Sequence, residues 1–361
     1  MVDSLSHMAD TLAQFADRIR ACGAARTPIR LRGSGTKDFY GRTAVGEVLD
    51  TRAHAGIVDY DPTELYVTAR CGTPLAELEA TLAGRGQMLA FEPPHYGAGA
   101  TLGGAVAAGL SGPRRQAAGS LRDYVLGVRM MDGRGDDLFF GGQVMKNVAG
   151  YDVSRLMAGA LGTLGLVLEV TLKVLPTPVA EVTLALEIPE DKAIEVMNRW
   201  AGKPLPVSAT AWCENTLGVR LSGAAAAVSA AREKIGGEPV DPERANRFWT
   251  SIREQTDEFF GAHAPLWRLS VPSVTPPLSL PGEQLIEWGG ALRWLLSTAE
   301  PRDIRDAATR AGGHATLFRG GDRSGDVFHP LEAPLAHIHR RLKAQFDPHG
   351  IFNPGRMYAD Q

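Results

Sequence analysis

Read for apolar periodicity, the chain opens on a helix, with Met8, Leu12, Phe15 and Ile19 at helical spacing and Asp10, Gln14, Asp17 and Arg18 between them. A short strand, Ile29-Arg30-Leu31, runs straight into Arg32-Gly-Ser-Gly-Thr-Lys37. After an extended segment over 65–69, Thr73-Pro74 predicts a helix start, with threonine as N-cap and proline in the first helical position; Gly84 and Gly86 predict its end. From Phe91 to Gly119 the pattern loses its large side chains to Pro93-Pro94, Gly97, Gly99, Gly103, Gly104, Gly109, Gly112 and Gly119. Glycine allows close approaches that a Cβ would block, so such a stretch inside a folded domain is expected to wrap something. From Leu164 to Val174 the chain alternates, with Leu166, Leu168, Val170, Leu172 and Val174 on one face and Glu169, Thr171 and Lys173 on the other. That predicts a half-buried strand, ended by Pro176 and Pro178.

The Pro176-Thr-Pro178 punctuation marks the main domain boundary. Beyond it the pattern predicts a strand over 182–188, a helix over 191–200, strands over 209–213 and 217–221, and an alanine-rich helix over 224–235. Strand–helix–strand–strand–helix is the order of a ferredoxin-like split βαβ unit. Residues 272–282 are proline-rich and read as a loop; a last helix over 334–345 leads to the tail Phe346-Asp-Pro-His-Gly-Ile-Phe-Asn-Pro-Gly-Arg356. No internal repeat is evident.

With 361 residues, 44% of them hydrophobic and 22% charged, the chain has the composition of a globular protein of two or three packed units. A net charge of -3 gives no reason to expect nucleic acid or an anionic membrane as partner. Cys22, Cys71 and Cys213 are far apart and form no CxxC pair, which argues against a disulfide framework and against a cysteine-ligated iron–sulfur cluster in this chain. No signal-peptide pattern and no apolar run long enough to span a bilayer is found, so a soluble cytoplasmic protein is expected.

Candidate chemistry begins at Arg32-Gly33-Ser34-Gly35-Thr36-Lys37. Successive N–H groups in a glycine-rich turn can converge on an anion, with the Ser34 and Thr36 hydroxyls as further donors; the bland alternative is an ordinary strand-to-loop turn. The motif is not a Rossmann fingerprint, because Asp38 stands where the third glycine belongs, and the glycine–lysine spacing is wrong for a Walker loop. Further signals are Glu92-Pro-Pro94, Thr101-Leu-Gly-Gly104, Gly119-Ser-Leu-Arg-Asp123, Lys146-Asn-Val-Ala-Gly-Tyr-Asp152 and Gly162-Thr-Leu-Gly165. Arg268 offers a planar fork for a carboxylate, against the alternative of a surface strand arginine.

Taken in this order, the loop at 32–37, the Pro-Pro to Gly-Gly stretch and Gly162 to Val174 resemble the vanillyl-alcohol oxidase and PCMH type of FAD-binding proteins. Within that superfamily the chain is similar to the FAD-binding subunits of glycolate oxidase, through Tyr60-Asp-Pro-Thr-Glu-Leu65, Gly112-Pro-Arg-Arg115, Leu280-Pro-Gly-Glu-Gln-Leu-Ile286, Trp288-Gly-Gly-Ala-Leu-Arg-Trp294, Gly312-Gly-His-Ala-Thr316 and Phe352-Asn-Pro-Gly-Arg-Met-Tyr358. The resemblance spans nearly the whole chain. It implies an α+β fold with a PCMH-type two-part FAD-binding domain over 1–178, a ferredoxin-like cap domain over 179–333, and a segment over 334–361 that returns to the FAD domain.

For the site, the resemblance implies that Arg32, Gly33, Ser34, Gly35, Thr36 and Lys37 hold the FAD pyrophosphate. Pro94, Thr101, Gly103, Gly104, Ser120 and Asp123 would line the cofactor, Gly162, Gly165 and Val167 would lie near its adenylate end, and Asn353 near the flavin ring. Thr36 stands where relatives with covalent flavin often carry histidine, which implies noncovalent FAD. Arg268, His314 and Lys146 are the expected catalytic residues. Related D-2-hydroxyacid dehydrogenases use two histidines in this region to bind a metal; here His314 is present and Gly321 takes the second place, so no metal is expected. The implied reaction is oxidation of glycolate, a small 2-hydroxyacid, to glyoxylate, with electrons passing through flavin to a partner iron–sulfur subunit. A larger flavin subunit would complete the complex, and the membrane would be reached only through it. The alternatives are a self-sufficient hydroxyacid or alcohol dehydrogenase, and a mainly structural or electron-transfer subunit beside a catalytic paralogue.

Overall fold

The computed structural model describes residues 2–142 and 152–361, with side chains from Asp10 onwards. Helix α1 (Val2–Ala25) turns Phe15, Ala16, Ile19 and Cys22 onto a core that it shares with β1 (Ile29–Arg32) and β2 (Glu47–Asp50), which pair in parallel. Next come β3 (Ile57–Asp61), β4 (Tyr66–Arg70), α2 (Leu75–Ala83), the short β5 (Gln87–Met88), and helices α3 (Leu102–Ala108), α4 (Arg115–Ala118) and α5 (Leu121–Tyr124). Strands β6 (Val125–Met131), β7 (Asp137–Gly141) and β8 (Leu166–Lys173) complete an antiparallel sheet of order β3-β4-β8-β6-β7, and β9 (Leu175–Pro176) pairs with β5.

Two details differ from the sequence reading. The N-cap of α2 is Pro74, because the Thr73 hydroxyl is taken by the Gly56 peptide, whose N–H donates to it at 2.9 Å. Strand β8 is buried on both faces, because the ladder to β6 shifts register between Arg129 and Met130. Leu166 and Leu168 face the α1 core, while Val167 turns with Val170, Leu172 and Val174 into the core under α2 and α3. A bulge of one residue re-aims the side chains that precede it.

The second sheet begins with β10 (Ala180–Glu187), α6 (Glu190–Ala201), β11 (Val207–Cys213), β12 (Thr216–Gly223), α7 (Ala225–Ile235) and β13 (Glu238–Pro239). Helix α8 (Pro242–Glu254) leads to β14 (Leu266–Ser270), β15 (Glu283–Glu287), β16 (Leu292–Leu296), α9 (Pro301–Arg310) and β17 (His314–Arg319). The order β13-β10-β12-β11-β15-β16-β14-β17 contains the expected ferredoxin-like unit and then repeats it. From sheet centre to edge, both halves place their second, third, first and fourth strands in turn. The sequence hides this duplication because the proline-rich loop replaces the helix between the first two strands of the second half. Helices α6 and α7 cover Leu184, Leu217, Val219 and Leu221 on the outer face, and α9 covers Trp267, Leu269 and Leu295. Leu285, Leu292, Trp294 and Phe318 pack inward, against Tyr40, Leu110 and Leu161.

Helix α10 (Ala333–Phe346) brings the chain back. The buried Lys343 ammonium donates to the Thr163 and Phe352 carbonyls and to Asp347, each at 2.7 Å. Ile29 N–H donates to the Ile351 carbonyl and Asn353 N–H to that of Ile29, so the tail runs as a third strand beside β1.

The two sheets are tied by Glu92, whose carboxylate accepts from Arg114 N–H at 2.7 Å and from Arg220 of β12 at 2.9 Å. Arg114 also reaches Glu181 of β10 at 2.8 Å. Burial pushes the Glu92 carboxyl up, but Arg220 and Arg114 outweigh it and hold it below its ordinary value. Removing one partner of such a buried pair leaves a charge uncompensated. Arg220→Met should lower the unfolding free energy by about 3–5 kcal/mol in urea denaturation. Arg18→Met, in the exposed pair with Glu47, should change it by less than about 1 kcal/mol. Equal effects would show that Glu92 does not depend on Arg220.

Candidate functional site

The loop after β1 and helix α3 face each other across a trough. One part is lined by Arg30, Arg32 to Asp38, Thr101, Gly104, Ala107, Leu161, Asn353 and Arg356. The other shares Arg32, Gly33, Gly104 and Asn353, and adds Thr51, Cys71, Gly103, Gly162, Gly165 and Val167. Six of the expected cofactor residues thus come from the end of β1 and the turn after it, and Thr101, Gly103, Gly104, Gly162, Gly165, Val167 and Asn353 join them from three places in the chain. Ser120, Asp123 and Pro94 are not in the wall. Asp123 accepts from the Ser120 N–H at 2.8 Å and hydroxyl at 2.7 Å, capping α5, and Pro94 is buried.

The trough exists because side chains are missing from it. A Cβ on Gly33 would sit 2.3 Å from the Thr101 hydroxyl, which caps α3 by accepting from Gly104 N–H. Gly35 has φ +81, a left-handed conformation that L side chains rarely adopt, and a Cβ there would strike the Arg32 guanidinium. The Ser34, Gly35, Thr36 and Lys37 N–H groups donate to no described residue. Around them stand Arg30, Arg32, Lys37 and Arg356, against the single carboxylate of Asp38, which binds both Arg30 and Arg32. Lys37 donates to the His95 carbonyl at 3.2 Å; burial lowers its ammonium to about 8, partly opposed by Glu254. Free N–H groups and excess positive charge in a glycine cradle fit a diphosphate. Asn353 braces the trough, accepting from Leu31 N–H at 3.1 Å and donating to the Leu161 carbonyl at 2.7 Å.

Arg268 and His314 lie on the inner face of the eight-stranded sheet, where Arg268 is flanked by Trp294 of β16 and Thr316 of β17. The His314 and His329 rings are 6.5 Å apart, and His329 Nδ1 accepts from Ala315 N–H at 3.3 Å. Among the described residues no group of three metal-ligating side chains comes together. Lys146 lies outside the described residues.

Sequence reasoning overlooked Arg30, Arg356 and Glu287. Arg30 and Arg32 alternate on one strand above a shared Asp38, a spacing visible in the sequence, and Arg356 lies within the tail motif. Glu287 ends β15 between Ile286 and Trp288, and an acid is rarely buried without a reason. It is 3% exposed and accepts from the Trp294 indole N–H at 2.7 Å. Burial pushes its carboxyl up to about 7, against the opposing pull of Trp294 and Arg268.

Residues 7–138 match the family described as FAD binding domain. Glycolate oxidase subunit GlcE of Escherichia coli (strain K12) is 54% identical over 335 residues, 93% of this chain and 94% of that protein. Glycolate oxidase subunit GlcD of Bacillus subtilis (strain 168) is 26% identical over 406 residues, 94% of this chain and 85% of its own. A solved structure of alkyldihydroxyacetonephosphate synthase overlays with TM-score 0.65, over 94% of this chain and 74% of its own, at 14% identity, which bears on the fold alone. Fold and trough define a PCMH-type FAD-binding oxidoreductase, with FAD as its cofactor. Within that class, the chain belongs to the family of glycolate oxidase subunit GlcE.

Glu287 gives a pH signature. Its folded pKa lies above the ordinary value, so the folded protein keeps a proton that the unfolded chain releases. The resulting stability is complete below about pH 4.3 and is lost as pH rises through 7. Relative to Glu287→Gln, the wild type should lose about 2–3 kcal/mol of unfolding free energy between pH 5 and pH 8. A difference that is flat across those pH values would mean that Glu287 is ionised throughout.

Proposed function

We propose that the chain is the FAD-binding subunit of a glycolate oxidase that converts glycolate to glyoxylate and passes electrons to an iron–sulfur partner, in a complex with a larger flavin subunit. The observation that carries this reading is the trough, a cationic glycine cradle in a chain that matches a glycolate oxidase subunit along almost its whole length. Residues 1–178 form the FAD-binding domain, 179–333 the cap, and 334–361 the segment that closes the trough. Bound FAD supplies the two-electron acceptor. The 33–37 loop holds its pyrophosphate, with Arg30, Arg32 and Arg356 balancing the charge; Gly162, Gly165 and Val167 take the adenylate end. Arg268 orients the substrate carboxylate, and His314 and Lys146 serve the hydroxyl proton. With Thr36 in the loop, FAD is noncovalent, and acid precipitation should release all the yellow colour into the supernatant. Flavin that stays in the pellet would reject this.

A second reading has a specific observation in its favour. Gly321 stands where related dehydrogenases carry a second histidine, and the chain is similar to a GlcD subunit as well as to GlcE. On that reading the subunit conducts electrons beside a catalytic paralogue. Anaerobic mixing with glycolate separates a component of a complex from a self-sufficient dehydrogenase. The isolated flavin should bleach slowly or not at all, and adding the larger flavin subunit and the iron–sulfur subunit should restore rapid dye-linked turnover. If the isolated chain turns over glycolate as fast as the assembled enzyme, it is a self-sufficient dehydrogenase.

A further inference from the structure

Arginines elsewhere in the interior have their acceptors. Arg114 and Arg220 share Glu92, Arg129 reaches Asp137 and Glu169, and the fully buried Arg293 donates to the Gly290 and Thr275 carbonyls. Two half-buried arginines break this rule. The guanidinium groups of Arg115, at the start of α4, and of Arg268, in the middle of β14, make no hydrogen bond or ion pair to any described residue. Both instead stand over one indole, their guanidinium carbons 4.3 Å and 5.2 Å from the centroid of the Trp288 ring.

That indole is fixed in place. Its N–H donates to the Gly112 carbonyl at 3.1 Å, across the boundary between the two halves. Trp288 itself has φ +52, which a bulky residue adopts only when its surroundings impose it. The next residue, Gly289, donates its N–H to the Thr210 hydroxyl at 2.9 Å, and Thr210 donates to Gln116 of α4 at 2.8 Å. The ring is therefore a fixed platform shared by an arginine of the first half and an arginine of the second sheet.

The nearest acids are already engaged. Glu287 is bonded to Trp294, and Asp123 to Ser120. The cations meanwhile oppose one another: burial and then Arg268 together lower Arg115 to about 10, while His314 is lowered by burial, then by Arg268, His329 and Arg115. A cluster of this kind is relieved by an anion, and a planar carboxylate matches the guanidinium fork.

We propose that Arg115 and Arg268, both held over the Trp288 indole, form a two-armed clamp for the carboxylate of a short organic acid, with Arg115 the arm supplied by the FAD-binding half. The inference rests on the reading of this face as the substrate site. It adds that the site is complete only when both halves contribute, so carboxylate binding ties cap and FAD-binding domain together.

Oxalate, an unreactive short acid, is the probe. Flavin-loaded protein is titrated with it by isothermal calorimetry at low and high salt, with circular dichroism and flavin content checked for every variant. Arg115→Met and Arg268→Met should each raise the dissociation constant at least about 10-fold, with Arg115→Lys in between. The exposed Arg122→Met should bind as wild type does, and salt should weaken wild-type binding. If Arg115→Met binds oxalate as tightly as wild type while Arg268→Met does not, the two-armed clamp is wrong and the substrate-site reading stands. If wild type shows no binding at millimolar oxalate, clamp and reading fall together.

Discussion

The architecture turns on one buried carboxylate. Glu92 lies in the segment that leads into the glycine-rich stretch, and its backbone is left-handed at φ +49. Taking that charge out of water is costly unless hydrogen-bonded cations meet it. The two cations come from different places, Arg114 from beyond α3 and Arg220 from the second sheet. Satisfying Glu92 therefore requires the two halves to dock in one register, and that docking positions Gln116 against Thr210 and Trp288 against Gly112. The Arg220 guanidinium also stacks on Trp249, whose indole N–H donates to Thr183. The same contact thus fixes α8 on the sheet.

The trough depends on a complementary constraint, the absence of side chains. The β1 loop can lie on the start of α3 only because residue 33 is glycine, and α3 can lie on Cys71 at the end of β4 only because residue 103 is glycine, where a Cβ would meet the cysteine Cβ at 2.7 Å. What remains is backbone N–H and a ring of cations, held in place by the tail. Lys343 and Asp347 anchor that tail with three short hydrogen bonds from one ammonium, and Asn353 then spans from β1 to the 161–162 turn. Trough and C-terminal tail thus depend on the same hydrogen bonds.

The cradle was legible in the sequence because glycine at a close approach has no substitute, and the motif words follow the wall almost residue by residue. Ser120 and Asp123 were less so: Ser-x-x-Asp reads equally well as a lining or as a helix cap, and here each satisfies the other. The faces of β8 could not be read, because Leu166-Val167-Leu168 is apolar throughout and only the pairing partner decides where the bulge falls. The duplicated cap was hidden for a related reason. Strand order is a matter of long-range pairing, and a proline-rich loop in place of one helix removes the local signal by which a repeat would be recognised.

That duplication explains where the chemistry can sit. In the first half of the cap, α8 covers the inner face, with Phe248 and Trp249 lying on Ala209, Ala211 and Gly218. Small residues on those strands let the helix approach, with Phe248 lying against Gly218. In the second half no helix among the described residues covers the same face, which carries Trp294, Arg268 and Thr316 at successive ladder positions and is met by Tyr40, Leu110 and Leu161 of the first part of the chain. Two halves of one topology thus do different work: one is plugged from within and carries the Glu92 contact, while the other relies on the FAD-binding half for its cover. Along that second seam, residues of the first part of the chain and of the second sheet meet: Trp294 and Phe318 pack against Tyr40 and Leu161, and Arg115 and Arg268 share the Trp288 indole.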